Sequence, residues 1–153
     1  MQNPPPDQGY GNYGAPPPGA GGPTGKSAIG LDSNLAAALG YPIGILAIVN
    51  LVMEKENRFV RFHAMQAIVL MALGIVLSIV LFVVFIVLTM LGAMLASASG
   101  SAVGSLFGLL GFLLWLVFGL AMLGAVAMAA FKAYQNEMYK LPIIGNIAEK
   151  FIK

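Results

Sequence analysis

Residues 62–131 form a run of seventy positions without a single Lys, Arg, Asp or Glu. A soluble protein of 153 residues could not bury such a run, whereas a bilayer core about 30 Å thick accepts helices of about 20 apolar residues. The composition agrees, because hydrophobic residues make up 59% of the chain and charged residues only 9%. The sequence therefore predicts an all-α integral membrane protein.

Three apolar segments are long enough to cross a bilayer as helices, at about 35–53, 68–95 and 106–131. The last two are separated by small polar residues at 97–102. The first contains Pro42, which should kink a helix. We favour a kinked span for this segment and keep a re-entrant hairpin as the alternative. Three transmembrane helices are the predicted architecture.

The first thirty residues have a different composition and predict a disordered tail. They hold seven of the nine prolines, together with eight glycines, Tyr10 and Tyr13. Such a segment cannot bury enough apolar surface to offset its loss of conformational entropy. We therefore divide the chain into a tail, residues 1–30, and a membrane domain, residues 31–153. The tail is interpreted as a solvated spacer, with docking to a proline-binding partner as the alternative.

Residues 20–27, AGGPTGKS, fit a relaxed P-loop pattern with Ala at its first position. A phosphate-binding loop needs a buried strand before it and a helix after it, but a Pro/Gly-rich tract precedes this match. The match is interpreted as coincidental, so no nucleotide is predicted as a cofactor or partner. The net charge of +2 does not come from a cluster of Lys and Arg residues, so nucleic acid is not an expected partner either.

The densest polar segment, residues 54–66, separates the first apolar segment from the second. Its side chains lie where a helix enters the membrane. Unpaired polar groups there cost free energy, whereas paired groups fix the positions of helices. We therefore predict a functional or structural polar cluster, formed by Asn50, Glu54, Arg58, Arg61, His63 and Gln66.

Few residues could support catalysis inside the membrane. The chain has one histidine, no cysteine and no acidic residue within the long apolar run, so no catalytic, metal or cofactor residue is predicted. Ser78, Thr89 and Asn50 are too few to line a hydrated path. We predict a non-enzymatic protein that acts through helix and partner contacts, as a scaffold, assembly or translocation-associated subunit. Two alternatives stay open: an oligomeric small channel or transporter-like protein, and a lipid-modifying or lipid-binding protein that uses Arg58, Arg61 and His63 at the headgroups.

Small residues recur every four positions in several segments, the spacing that lets two membrane helices approach closely. Packing within one chain and packing between copies in a homo-oligomer use the same spacing, and we favour the first. The candidate helix-packing residues are Gly40, Gly44, Gly74, Gly100, Gly104, Gly108, Ala121 and Ala125.

Seven of the eight cationic residues lie at 55–61 or after residue 131. Because cytoplasmic segments are enriched in Lys and Arg, three spans place the N-terminus outside and the C-terminus in the cytoplasm. A re-entrant first segment would instead place the N-terminal tail in the cytoplasm.

Residues 133–153 predict a short amphipathic helix at the membrane interface. Pro142 stops the preceding helix, and beyond it polar residues lie opposite an apolar helical face. A cationic helix of this kind lies in the plane of the inner leaflet. The apolar face consists of Ile143, Ile144, Ile147 and Phe151.

Two passages resemble a known family. EKEN at 54–57 running into FVRFHAMQA at 59–67, and YKLPIIGNIA at 139–148, are similar to signatures of small prokaryotic membrane proteins grouped with the twenty-kilodalton Tic subunit. That subunit belongs to the chloroplast inner-envelope import machinery. The resemblance covers about residue 31 to the C-terminus. It implies a helical fold in a prokaryotic plasma (inner) membrane and no settled activity.

Overall fold

The structure, a computed structural model, describes residues 24–99 and 101–152. Residues 1–23 of the predicted tail, and Gly100 of the helix-packing set, lie outside the described residues. Within them the only β feature is an isolated bridge between Lys26 and Asp32, which confirms the all-α class. The helices are α1 (Ser33–Leu39), α2 (Gly44–Met53), α3 (Arg58–Ser99), α4 (Ser101–Tyr134) and α5 (Ile144–Phe151).

Helices α3 and α4 form a long antiparallel hairpin. They contain the candidate membrane spans Arg58–Ser97, of 40 residues, and Gly104–Tyr134, of 31 residues. Only 11% and 6% of their most apolar windows are buried, so their apolar side chains face outward. An apolar surface of this size is typical of contact with lipid and not of a soluble monomer. The described chain thus has two helices that can cross a membrane by length and composition.

Glycines let α3 and α4 approach closely. A Cβ added to Gly92 would lie 3.0 Å from the carbonyl oxygen of Gly104, near the loop that joins the helices. A Cβ added to Gly111 would lie 2.6 Å from the ring of Phe85. Larger side chains would therefore force the helices apart at these levels.

The other candidate helix-packing residues lie on both inner and outer faces. Gly40 lies against Ala47, so it packs within the α1–α2 segment, while Ala125 packs against the buried core. Gly108 has no atom within 4 Å of an added Cβ, and Ala121 is exposed. The inward-facing glycines Gly44 and Gly74 receive the side chains of Met71 and Met122, respectively.

The apolar segment at 35–53 is interrupted. Helix α1 has 7 residues and α2 has 10, and at about 1.5 Å per residue each is far shorter than a bilayer core. The break at 40–43 contains Pro42, whose ring is incompatible with a helix interior. A third transmembrane helix is therefore not confirmed.

Helices α1 and α2 form a hairpin that begins and ends beside the start of α3. At its beginning, Nδ2 of Asn57 donates to Oγ of Ser33 over 2.6 Å. Gly44, the first residue of α2, lies against Met71 of α3, and α2 then returns to Glu54. The turn at 40–43, which we call the tip, is therefore the part of this segment that lies furthest along α3.

The C-terminal segment returns to the same end of the molecule. We call the end of the molecule at which α3 begins, at Arg58, and α4 ends, at Tyr134, the polar end. Asn136 ends α4 with a φ of 65°, in the left-handed conformation common at helix C-caps. Residues 135–143, the strap, lead to α5, whose Ala148 packs with Phe62 of α3. The buried residues cluster at the polar end, whereas most of the α3–α4 hairpin is exposed.

Candidate functional site

The predicted polar cluster separates into a buried set and an outer pair. The buried side chains are held between the α1–α2 hairpin, the first turns of α3 and the strap. Arg58 is exposed and Arg61 is half-buried. The buried members are Asn50, Glu54, His63 and Gln66.

His63 has a hydrogen-bond partner at each ring nitrogen. Its Nε2 lies 3.0 Å from the carbonyl oxygen of Glu137 in the strap. A carbonyl oxygen can only accept, so Nε2 carries the proton. Nδ1 is then an acceptor, and the hydroxyl of Tyr41 at the tip donates to it over 2.9 Å. These partners assign the neutral, Nε2-protonated form of the imidazole.

Gln66 extends this network from the tip to the strap. Its Nε2 donates to the hydroxyl oxygen of Tyr41 over 2.7 Å and to the carbonyl oxygen of Tyr139 over 3.2 Å. Its Oε1 accepts the backbone N–H of Leu141 over 3.1 Å. One side chain of α3 therefore holds both the α1–α2 hairpin and the C-terminal segment.

Aromatic rings surround His63. The ring centroids of Phe59 and Phe62 lie 4.6 and 5.3 Å from that of His63, both at steep interplanar angles. The ring of Tyr41 lies at 5.9 Å. Because these rings exclude water, the buried polar atoms of the network depend on one another for hydrogen bonds.

Glu54 forms a second network, which links the α2–α3 loop to the segment before α1. Its Oε1 accepts the backbone N–H groups of Glu56 and Asn57 over 3.2 and 3.0 Å, and its Oε2 accepts that of Ala28 over 2.8 Å. Burial alone would raise the pKa of Glu54, but these backbone hydrogen bonds hold the pKa below its ordinary value of 4.5. The carboxylate is therefore ionised at neutral pH and acts as an acceptor.

Asn57 connects this second network to the start of α3. Its Oδ1 accepts the backbone N–H groups of Phe59 and Val60 over 3.1 and 3.3 Å, as a helix N-cap does. Its Nδ2 donates to Oγ of Ser33, which in turn donates to the carbonyl oxygen of Gly25 over 2.6 Å. The start of α3 and the start of α1 are thus fixed to each other.

Asn50 and Arg61 lie apart from the His63 network. Nδ2 of Asn50 donates to the carbonyl oxygen of Ala36 over 2.8 Å and so joins α2 to α1. Its Oδ1 is buried and has no partner in the described part of the chain. Nη1 of Arg61 reaches the carbonyl oxygen of Lys55 only at 3.5 Å. These two residues hold loop and helix backbones and are not part of the network at His63.

Three residues of these networks were not included in the predicted polar cluster. Tyr41 stands inside an apolar segment next to Pro42, where its hydroxyl is a signal that could have been used. Ser33 and Asn57 are polar residues directly before or at the start of helices, where capping residues are expected. Their partners lie too far away in the chain to be identified from local sequence.

The hydrogen bonds of this arrangement join protein groups to one another. The described residues contain no group of three His, Asp or Glu side chains that could hold a metal ion. Ser78 and Thr89 donate to carbonyl oxygens of their own helix. The P-loop-like residues have internal partners, since Lys26 pairs with Asp32 at 3.0 Å and Ser27 Oγ donates to the Leu31 carbonyl oxygen.

Comparison with known proteins identifies membrane proteins as relatives. The model of the magnetosome magnetite crystal formation protein family, MamF/MmsF, matches residues 28–148. A UPF0132 membrane protein of Methanocaldococcus jannaschii is 36% identical over 135 residues, covering 83% of this chain and 94% of the relative. One from Archaeoglobus fulgidus is 37% identical over 123 residues, covering 80% and 97%. No solved structure matches the chain significantly.

The resemblance to the Tic family is wrong. The family match and the archaeal relatives, which span most of the chain, identify a different family. The passages 59–67 and 139–148 lie in the first turns of α3 and in the strap and α5, at the polar end. A polar entry to a membrane helix and a Pro-containing strap are features that unrelated membrane proteins can share.

Proposed function

This chain belongs to the magnetosome magnetite crystal formation protein family, MamF/MmsF, and from this membership and the geometry of the polar end we propose that it is a non-enzymatic membrane scaffold. Its polar end would hold partner proteins or further copies of the chain at the membrane surface. The curated relatives are named as UPF0132 membrane proteins, and these names state no activity.

The proposal rests on one observation: the polar side-chain atoms of Tyr41, His63 and Gln66 form hydrogen bonds that join three separate segments of the chain. His63 reaches the tip and the strap, and Gln66 reaches both as well. A general acid or base needs a proton-exchanging group that faces a substrate, whereas these groups face each other. Such a network supports a rigid surface made of segments that are distant in sequence.

The family's description names magnetosome magnetite crystal formation, and from it we infer an assembly role for this chain. Direct contact with a mineral is not part of the proposal, because carboxylates and imidazoles do not gather into a metal-binding group anywhere in residues 24–99 and 101–152. In this chain the acidic side chains Glu54, Glu137 and Glu149 accept hydrogen bonds from other parts of the protein. We therefore place its role in organising the membrane and its protein partners.

The proposed membrane arrangement has two crossings, α3 and α4, and a re-entrant α1–α2 hairpin. The hydrogen bonds from Asn57 to Ser33 and from Asn34 to the carbonyl oxygen of Tyr134 support it, because they join the start of α1 to the start of α3 and to the end of α4. The described Lys and Arg residues then all lie on one side. By the preference of basic residues for the cytoplasm, the polar end faces the cytoplasm of a prokaryotic plasma membrane.

An oligomeric channel is a weaker proposal. The hydroxyls of Ser78 and Thr89 donate to carbonyl oxygens of their own helix. They therefore do not form a polar stripe along the α3–α4 hairpin. A homo-oligomer without a pore is compatible with the proposed scaffold, since Ala121 is exposed on α4 and a Cβ added to the half-buried Gly108 would meet no atom within 4 Å.

The scaffold proposal is tested by chemical crosslinking in membranes, followed by size analysis of the tagged full chain in mild detergent. Wild type should give a discrete complex larger than the monomer. His63→Ala and Gln66→Ala should lose that complex while they still insert and keep their helical circular dichroism. Ser97→Ala, at the far end of α3 where the hydroxyl bonds only to its own helix, is the matched control and should behave like wild type.

Two outcomes would contradict the proposal. A wild-type chain that is strictly monomeric, with no crosslinked partner, would remove the scaffold function. Equal complexes from wild type and from the His63 and Gln66 variants would show that the polar end does not organise the binding surface.

A further inference from the structure

Helix α5 has three distinct faces. Gly145 and Ala148 are buried against the rest of the polar end. Asn146 and Lys150 are exposed on a second, polar face. On the third face the apolar side chain of Phe151 is 66% exposed. Ile144 and Ile147 on the same side of the helix are half-buried, whereas a helix packed only on protein would bury the aromatic side chain of Phe151 as well.

Ile143, directly before α5, is also exposed and is held in an unfavourable conformation. Its φ is 67° and its ψ is −57°, and the N–H of Ile144 donates to the carbonyl oxygen of Pro142 over 2.7 Å. This is a strained γ-turn, and a positive φ is rare for a β-branched residue. The turn leaves the Ile143 side chain 73% exposed next to the helix.

The surroundings hold this strained turn in place. Leu141, two residues earlier, donates its N–H to Gln66, and the N–H of Gly145 donates to the carbonyl oxygen of Leu141 over 2.8 Å. An added Cβ on Gly145 would lie 2.9 Å from Oε1 of Gln66, so the start of α5 cannot move closer to α3. Strain that is fixed in this way points to a role for the exposed side chain.

Positive charge accompanies the exposed apolar side chains. Lys150 is exposed on α5, and Lys55 and Arg58 are exposed just before and at the first residue of α3, the helix whose Phe62 packs on α5. Lys140 and Glu149 pair at 2.9 Å, so their charges largely cancel. An apolar face beside lysine and arginine residues matches the acyl-chain boundary and the anionic phosphates of a bilayer surface.

We propose that α5 docks onto anionic phospholipid headgroups of the bilayer that holds α3 and α4. Phe151 and Ile143 enter the boundary between headgroups and acyl chains, and Lys150 contacts lipid phosphate. Asn146 faces water. This docking fixes the depth of the polar end in the membrane through Leu141 and Gln66, and it does not depend on the scaffold function.

Tryptophan reporters in lipid nanodiscs test this docking. The single natural tryptophan is first removed as Trp115→Phe, and Phe151→Trp or Asn146→Trp is then added to the full chain. Quenching is measured with lipids brominated near the headgroup end of the acyl chains and with aqueous acrylamide. We expect the Phe151→Trp reporter to be quenched by brominated lipid and the Asn146→Trp reporter by acrylamide.

The lipid headgroup is tested in the same samples. Replacing anionic lipid by zwitterionic lipid, or adding Lys150→Gln, should reduce the quenching of the Phe151→Trp reporter by brominated lipid. Quenching of both reporters by acrylamide alone would show that α5 faces water and would overturn the proposal. Protection of the Phe151→Trp reporter from both quenchers would mean that protein covers this face, and would overturn it too. Lipid quenching that is unaffected by lipid charge and by Lys150→Gln would overturn the recognition of anionic headgroups.

Discussion

Tyr41 and His63 are 22 positions apart in the chain, and the tyrosine hydroxyl lies 2.9 Å from Nδ1 of the imidazole. The tyrosine comes from the tip of the α1–α2 hairpin, and the histidine from the second turn of α3. Because Nε2 of His63 continues to the strap, this bond lies at the centre of the polar end. It explains how an apolar segment broken by Pro42 can be held firmly against a membrane helix.

Tyr41→Phe should destabilise the protein. The substitution keeps the ring but leaves Nδ1 of His63 without its donor and Nε2 of Gln66 with one acceptor fewer. A buried polar group deprived of its partner costs about 1–3 kcal/mol, so the free energy of unfolding in detergent should fall by that amount. Tyr134→Phe, at an exposed position, is the control and should change it by less than about 0.5 kcal/mol. Equal effects of the two substitutions would show that the tip is not held by this hydroxyl.

Asn57→Ala should also destabilise the protein, because it removes the cap of α3 and the bond to Ser33. Loss of an N-cap costs about 0.5–2 kcal/mol. Asn57→Asp keeps an acceptor for the N–H groups of Phe59 and Val60, and a negative charge is favourable at a helix N-terminus. Chemical unfolding should therefore rank Asn57→Ala below Asn57→Asp. The reverse order would refute the capping role. Asn146→Ala, on the exposed face of α5, is the control.

The long helices could be predicted from the sequence, whereas the fold of the first apolar segment could not. A charge-free run of seventy residues permits few structures besides membrane helices, so α3 and α4 follow from composition. Gly40 and Pro42 are compatible with a kinked span and with a broken one. The contacts of Tyr41 with His63 and Gln66 distinguish the two, and they join residues that no local pattern relates.

Residues of the buried site could be predicted from the sequence only where a polar side chain is unusual for its position in the chain. His63 and Gln66 stand out because they lie at the start of a long apolar helix. Arg58 and Arg61 have the same sequence context but lie at the outer side of that helix, since residues three or four apart share a face and their neighbours do not. The strap's role is carried by backbone carbonyl and N–H groups, which every sequence possesses.

Acid should weaken the protein partly through Glu54. Its pKa in the folded protein lies below the ordinary value of 4.5, so its contribution to stability is complete above about pH 4.5 and is lost as the pH falls through the lower, folded value. Stability measured from neutral to acidic pH should therefore fall more steeply for wild type than for Glu54→Gln. Glu56→Gln, at an exposed position, should follow wild type. Parallel curves for wild type and Glu54→Gln would contradict the assigned hydrogen bonds.

Replacing each of two glycines of the α3–α4 hairpin by alanine should change the stability of the protein in opposite directions. Gly92→Ala places a Cβ 2.9 Å from that of Phe107 and 3.0 Å from the carbonyl oxygen of Gly104, and such overpacking costs about 1–3 kcal/mol. Gly108→Ala meets no atom within 4 Å and should stabilise the helix by roughly 0.5–1 kcal/mol. Thermal unfolding in detergent compares the two. A destabilised Gly108→Ala variant with altered oligomeric size would instead identify α4 as an interface between copies.

The re-entrant α1–α2 hairpin is tested most directly by determining on which side of the membrane the first described residues lie. The chain has no cysteine, so Thr24→Cys, Ser97→Cys and Asn146→Cys can each be labelled alone in intact cells with a maleimide that does not cross membranes. We expect Thr24→Cys and Asn146→Cys to be protected until the cells are permeabilised, and Ser97→Cys to be labelled at once. Labelling of Thr24→Cys together with Ser97→Cys in intact cells would mean that residues 35–53 cross the membrane, and would contradict the arrangement of the polar end.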